Sequence, residues 1–556
     1  MIEIKSRMMR IFTFLFLLVF MLFSKVHAQE KKLVANQGIT SAIHQANLGK
    51  LFFSVNAVSI AEPEKAVFLE AYELTNKSNL YITFFMDNSM TNYLHQLEPL
   101  LSADQLVQKG NYQFSFYVDR QLIYKTELLP GAPRALNQDT ETALSKPLIS
   151  DNSLWSNSMW GRFMRNGGDS ILTDGRHLLR IEVRPYINHS ELKVGKLIAS
   201  GQLNLNVKRK AKINISGISL SAVKPYPGLG VSADAFNKAR IRELKGSINE
   251  GVFKHITSIV VIKNGKILIE EYFNGATRDS LHDPRSVGKS FAGTVTGLAI
   301  KDGYLKDENQ SLKEFYDLKS FANYAIEKEN CTIKDLLTMN SVFDGDDEDS
   351  KSLGNEDNMY PTTDWIKFVL DLPVNPSAKS KWHYFTAGVV LLGDILNKSV
   401  PGGLETYANE KLFKPLGITN YKWEYTPQKV PNTAGGIRMS ALDFAKYGQL
   451  YKNGGRWKGR QIIPKDWVNA SFTKQLQIQG RSNEFYGYLF WNKTYKVKGK
   501  AYETFYCAGN GGNKIFVFKD QPLVVVITAT AYGAMYSHTQ VDKMMEDFIL
   551  PSVLSH

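Results

Sequence analysis

The chain has 556 residues, 43% hydrophobic and 22% charged, which excludes wholesale disorder and leaves enough apolar material for several cores. At roughly 100 to 200 residues per domain it should divide into two to four parts. Of its formal charge of +13, +3 falls in the first 28 residues, and no arginine-rich run or basic stripe accompanies the rest, which argues against nucleic acid as a partner.

Residues 1–28 have the pattern of a secretory signal. Lys5, Arg7 and Arg10 precede an apolar run from Ile11 to Phe23, and Val26-His27-Ala28 offers a small-residue cleavage site. The run is short for a span that needs about 20 residues, so cleavage is expected, leaving no transmembrane segment. The mature protein is expected to be exported, to the periplasm or beyond.

Residues 29–212 are expected to form an all-β sandwich. Apolar residues alternate along Leu80–Met86, Tyr112–Val118, Leu178–Val183 and Gln202–Val207, with turn clusters at Thr173-Asp174-Gly175 and Asn166-Gly167-Gly168 between them. Trp155 and Trp160 are read as core tryptophans rather than a sugar-stacking pair. The segment Lys224 to Gly230 holds two prolines and two glycines more, so a linker is placed at 213–235.

Residues 236–556 are expected to be one mixed α/β domain. A helix near Asp234–Ile248 leads to a hairpin over Ile256–Tyr272 turning at Asn264-Gly265, and a late strand pair covers Lys514–Lys519 and Leu523–Thr528 before a final helix. Cys331 and Cys507 show no metal-ligand spacing and are read as buried thiols. The acidic run Asp344–Asp349 lacks the glycine and glutamate of a calcium loop and is expected to be exposed.

Ser286 and Lys289 have SxxK spacing, which on a helix puts an amine beside a hydroxyl it can deprotonate. The spacing recurs at Ser190/Lys193, Ser221/Lys224 and Ser471/Lys474, so alone it says little. Context favours Ser286, which opens an apolar helix (Phe291, Val295, Leu298, Ile300) shortly after a hairpin, where free backbone N–H groups can also serve an oxyanion. Ser150-Asp151-Asn152 lies upstream of Ser286 and is read as a surface turn. His282 is expected to be an ordinary hydrogen-bonded loop histidine, and the side chain of His383 to point away from that of its neighbour Tyr384.

Five ordered stretches carry a resemblance: His282–Ser290, Thr332–Asn340, Trp382–Gly393, Gly435–Asp443 and Gly509–Asn513. Together, from about Asn237 to Pro551, they resemble the β-lactamase-related serine hydrolases: class C β-lactamases, DD-peptidases, their esterase relatives and the 6-aminohexanoate-oligomer hydrolases. The resemblance implies an α/β (α+β) β-lactamase/transpeptidase-like catalytic domain, with an antiparallel sheet flanked by helices, following the sandwich.

It also implies a site. Tyr384 takes the place of the family's catalytic tyrosine, with Thr386 where many relatives carry Asn or Ser. Asn510-Gly511-Gly512 stand for the KTG or HxG triad, and Asn513 with Ser286 for the oxyanion N–H donors. No cofactor is implied. The expected activity is hydrolysis of a small ester, amide or peptide through an acyl-enzyme on Ser286, an esterase or small-amide hydrolase being preferred to a β-lactamase or DD-peptidase. The alternative is a non-catalytic envelope binding protein that keeps the scaffold.

Overall fold

Alternating apolar residues build the first of two compact units, which divide at Lys208/Arg209. The computed structural model describes residues 32–554 except 38, 40, 61, 63–64, 129–139, 152, 211, 350 and 376–379; the signal expected at 1–28, and Asn152, lie outside the described residues. The strands of this unit are β1 (Leu51–Ser54), β2 (Ala71–Leu74), β3 (Leu80–Phe85), β4 (Gly110–Val118), β5 (Gln121–Glu127), β6 (Ala143–Ile149), β7 (Gly175–Asn188), β8 (Leu192–Val194) and β9 (Ala199–Val207).

They form a sheet of order β1-β3-β6 and a sheet of order β2-β9-β7-β4-β5, with β8 paired to β7. Leu80, Ile82 and Phe84 of β3 share one core with Tyr112, Phe114 and Phe116 of β4, as period-two strands facing each other must. Trp155 and Trp160 lie in that core.

Two features differ from the expected all-β antiparallel sandwich. β2 runs parallel to β9. Helices also occur at Met90–Leu97 and Ala103–Lys109, and helical turns run from Leu154 to Ile171. Local capping explains the two helices: the Ser89 hydroxyl accepts from the Asn92 N–H, and Ser102 with Gln105 forms a capping box.

In the second unit β10 (Ile256–Lys263) and β11 (Lys266–Tyr272) form the expected hairpin, with Asn264 and Gly265 both at positive φ as its tight turn demands. Two short ladders follow, β12 (Lys422–Trp423) with β13 (Ile437–Arg438), and β14 (Arg456–Trp457) with β15 (Arg460–Gln461). Then come β16 (Leu476–Gln477), β17 (Phe485–Tyr486), β18 (Trp491–Val497), β19 (Lys500–Gly509), β20 (Asn513–Phe518) and β21 (Leu523–Ala529).

The main sheet is antiparallel throughout, in the order β11-β10-β21-β20-β19-β18-β17-β16. One face carries the Ala441–Lys452 helix. Its Gly448 comes so close to Val524 and Ile515 that a Cβ would lie 2.7 Å from the first. Phe291, from the Gly288–Lys301 helix, stacks on Tyr447 at 3.9 Å. Asp542, from the C-terminal helices, meets the buried Lys514 of β20 at 2.8 Å. Burial raises the Asp542 pKa, but the Lys514 and Lys493 ammoniums outweigh it and hold the carboxyl well below the usual range.

The segment 213–235, expected as a linker, is instead strapped to the second unit. Ser221 donates to Glu271 through both N–H and hydroxyl, the Tyr226 hydroxyl donates to Asp443, and Val231 bridges to Ile267. Pro225 and Pro227 bar a regular ladder but leave the neighbouring side chains free to bond.

Phe291 is fully buried and joins the Ser286 helix to Tyr447. Phe291→Ala should lower unfolding stability by about 3 to 5 kcal/mol, read as a fall in denaturant midpoint at unchanged slope.

Candidate active site

The backbone folds sharply just before Ser286. Arg285 has φ +53°, a left-handed value unusual for a side-chain-bearing residue. Its N–H donates to the Asp283 carboxylate at 3.1 Å and its guanidinium lies 4.5 Å over the Tyr532 ring, which holds the turn. Ser286 sits in a single 3₁₀ turn, Arg285–Val287, that runs into the Gly288–Lys301 helix.

This i, i+3 arrangement brings the two side chains together. Lys289 Nζ donates to Ser286 Oγ at 2.8 Å and to the Ala434 carbonyl at 2.8 Å. Lys289 is buried, whereas Ser286 is partly exposed. The Ala434 carbonyl is delivered by the glycine loop that follows it: a Cβ on Gly435 would lie 2.8 Å from the Arg285 carbonyl carbon, and one on Gly288 3.0 Å from the Gly435 Cα. His282, paired with Met439, ties the same two segments together.

Tyr384 faces this pair, with Lys289 Nζ 5.0 Å from its ring centroid. Burial raises its phenol pKa, while the Lys289 charge and the Ser286 hydroxyl pull it down. Trp382 and Trp491 flank the ring at 6.1 and 5.7 Å and make an aromatic wall. Thr386, expected at the substrate, is wholly buried at the start of the Thr386–Ser399 helix. Its backbone N–H donates to Asp347 Oδ2 at 2.8 Å.

Asp347 was not visible in the sequence as a site residue, because the acidic run looked like an exposed loop. It reaches Thr386 across 39 positions, a separation that no local pattern reports. Burial, and then the Glu356 carboxylate, push its pKa up to about 6, against the hydrogen bond from the Thr386 N–H and the Lys289 charge.

The strand edge facing Ser286 is not the one expected. Asn510 Oδ1 accepts from the Gly533 N–H, and Asn513 Nδ2 donates to the Asn510 and Ala529 carbonyls. Gly511 and Gly512 pack on Tyr532 and Ser537, so 510–513 form a turn tied to the 529–537 segment. The close approach comes from Gly509, where a Cβ would lie 1.8 Å from the Pro284 carbonyl oxygen and 3.0 Å from the Ser286 nitrogen.

Its neighbour Ala508 turns its N–H away from β20. The Lys519 N–H donates to the Glu503 carbonyl, so Glu503, Phe505, Cys507 and Gly509 bond toward β20, and the alternate residues, Ala508 included, point the other way. β18 begins at Trp491, opposite Tyr506, and provides no partner beyond it. By the same alternation the Asn513 N–H bonds Gly509 across the ladder, so it is not free for the oxyanion role expected of it.

The other SxxK pairs each have a member engaged elsewhere. Ser221 bonds Glu271, the Ser471 hydroxyl donates to the Trp467 carbonyl, and Lys193, three residues after Ser190, pairs with Glu98. His282 Nδ1 meets the Thr257 and Thr528 hydroxyls, and burial lowers its pKa to about 4. His383 Nδ1 meets the Lys381 carbonyl. Among the described residues no group of three or more His, Cys, Asp or Glu is placed to hold a metal, and no helix is long and apolar enough to cross a membrane.

The family model described as Beta-lactamase matches residues 253–541, just over half of the chain. None of the curated proteins compared matches it. Similar solved structures include a penicillin-binding protein homolog from Caulobacter crescentus, 14% identical, covering 57% of this chain and 98% of that one with a TM-score of 0.43. A penicillin binding protein from Bacillus halodurans is 16% identical over 52% and 97%, TM-score 0.42, and a D-stereospecific amidohydrolase from Streptomyces sp. is 15% identical over 52% and 92%, TM-score 0.41. With the matched segment lying wholly inside the second unit, this chain belongs to the beta-lactamase family of serine hydrolases.

Proposed function

We propose that the protein hydrolyses a small ester or linear amide through an acyl-enzyme on Ser286. The observation that carries this reading is the 2.8 Å hydrogen bond from Lys289 Nζ to Ser286 Oγ, made on one helical turn beneath Tyr384. Ser286 Oγ attacks the carbonyl carbon and gives its proton to Lys289, with the phenol of Tyr384 passing it on to the leaving group. The backbone N–H groups of Ser286 and Ala508 hold the oxyanion. The leaving group departs, and water attacks the acyl carbonyl by the reverse proton path and frees Ser286.

The side chains along the open edge, Cys507, Ala508 and Gly509, carry no charge, and Lys514 is committed to Asp542. Arg481, over the Trp491 ring, pairs with Glu348. A substrate carboxylate therefore finds little to bind, which favours esters and linear amides over penicillins or D-Ala-D-Ala peptides. In this reading residues 1–28 direct export to the periplasm or beyond, and residues 29–212 are an accessory module.

A panel of short acyl esters, linear amides, D-Ala-D-Ala peptides and cephalosporins tests the substrate class, with turnover confined to the last two overturning it. Ser286→Ala should lose turnover and fluorophosphonate labelling with its melting temperature essentially kept, since one hydroxyl adds little to stability. Labelling that persists would place the nucleophile elsewhere. Lys289→Arg should slow acylation by about 10²-fold or more, because a guanidinium does not give up its proton, and Tyr384→Phe should slow it less if the phenol only relays.

Gly509→Ala forces the strand away from Pro284 and Ser286. We expect kcat to fall about 10²-fold. Parental kcat in that variant would remove β19 from the oxyanion site.

A further inference from the structure

Asp347 grips the segment that carries Tyr384 on two sides. Its backbone N–H donates to the Tyr384 carbonyl at 2.7 Å, and its Oδ2 accepts from the Thr386 N–H at 2.8 Å. Its Oδ1 accepts from the Glu356 N–H at 2.8 Å. The Thr386–Ser399 helix has Phe385 at its cap position, which offers no side-chain acceptor, so Asp347 supplies from a distant loop the oxygen that a Ser or Asp cap would give. A negative charge at that helix start is also favourable.

We propose that Asp347 is a positioning residue for acyl transfer: its ionised carboxylate fixes the backbone from Tyr384 to Thr386 and so holds the phenol against Lys289 and Ser286. The proposal rests on the roles given to those three residues above. A carboxylate can accept both amide N–H groups at once, one on each oxygen. A carboxyl that takes up a proton turns one oxygen into a donor, so one of the two amides loses its acceptor and the tyrosine segment loosens.

The charged and titratable groups facing Asp347 are few. Glu356 comes from the short helix Glu356–Met359, with Tyr360 bonded to it. Lys289 comes from the Gly288–Lys301 helix, and Tyr384 from the tyrosine segment. In its own loop, Asp346 Oδ1 accepts from the Glu348 N–H, and the Glu348 side chain is turned to Arg481. With burial and Glu356 setting its pKa at about 6, Asp347 takes up its proton just below neutral pH.

The test compares the parent, Asp347→Asn, Glu356→Gln and Ser286→Ala on one activated ester across the range from acid to alkaline pH. The ratio of parental kcat to that of the Asn variant cancels every pH dependence the two share. It should be about tenfold to a hundredfold above neutrality and close toward one below about pH 5, with KM little changed. In Glu356→Gln the backbone N–H remains but the neighbouring negative charge is gone, so the parent's acid limb should move to lower pH.

A ratio that does not vary with pH, a fully active Asn variant at alkaline pH, or an acid limb unmoved in Glu356→Gln each overturns the proposal. Should the Asn variant fail to fold, the Glu356→Gln shift alone decides. Turnover surviving in Ser286→Ala is a separate result, which would overturn the catalytic reading of Ser286 rather than the role of Asp347.

Discussion

Backbone packed directly on backbone at the Ser286 turn is the constraint on which the site depends. Lys289 can hold Ser286 and the Ala434 carbonyl together only because the loop at Gly435 and the strand at Gly509 both press against residues 284–286 without side chains between them. A methyl group at either glycine would overlap main-chain atoms, which cannot turn aside as a flexible side chain can. Ser286, the Lys289 amine and the strand edge thus form one rigid contact set. The surrounding core, with Phe291 stacked on Tyr447, keeps it in register.

That rigidity has a cost, visible as strain. Besides Arg285, the buried Met339 and Leu489 have left-handed backbone, with φ of +56° and +57°. Such residues cost about 1 to 3 kcal/mol each and persist only when their surroundings fix them. The Met339 carbonyl accepts from the His383 N–H, next to Tyr384. The Leu489 N–H donates to Leu337, and its carbonyl accepts from Ser290 in the helix that carries Lys289. Each bent residue therefore locks a segment that bears on the site. Asp347 adds a cost of its own: with a folded pKa above the usual carboxylate value, its ionised form opposes folding above about pH 6, and that penalty disappears as the pH falls toward about 4.

What the sequence made legible was local. The Ser286/Lys289 pair follows from helical spacing, β3 and β4 from alternation, and the β10–β11 turn from Asn264-Gly265. Tyr384 was placed by its resemblance to a family motif, and it lies beside Lys289. The readings that failed depended on non-local pairing. The parallel run of β2 on β9 joins residues more than a hundred positions apart, and the expected linker is held by Glu271 and Asp443, far along the chain. Asn513 was expected to offer a free N–H, and its pairing with Gly509 can be counted only once a ladder partner such as Lys519 is known. Thr386 looked like a substrate contact until burial showed it to be a helix start.

β19 runs three residues past the start of its neighbour β18, which leaves a notch in an otherwise continuous ladder. Trp491 closes β18 opposite Tyr506, and residues 507–509 continue along β20 alone. Unpaired strand edges invite another chain to add on, and proteins ordinarily shorten or cover them. Here the gap is three residues long, walled by Trp491 on one side and by the Ser286 turn on the other. A gap of that size is too short to seed a new strand, so the edge can be left bare where the Ser286 turn meets it without inviting association.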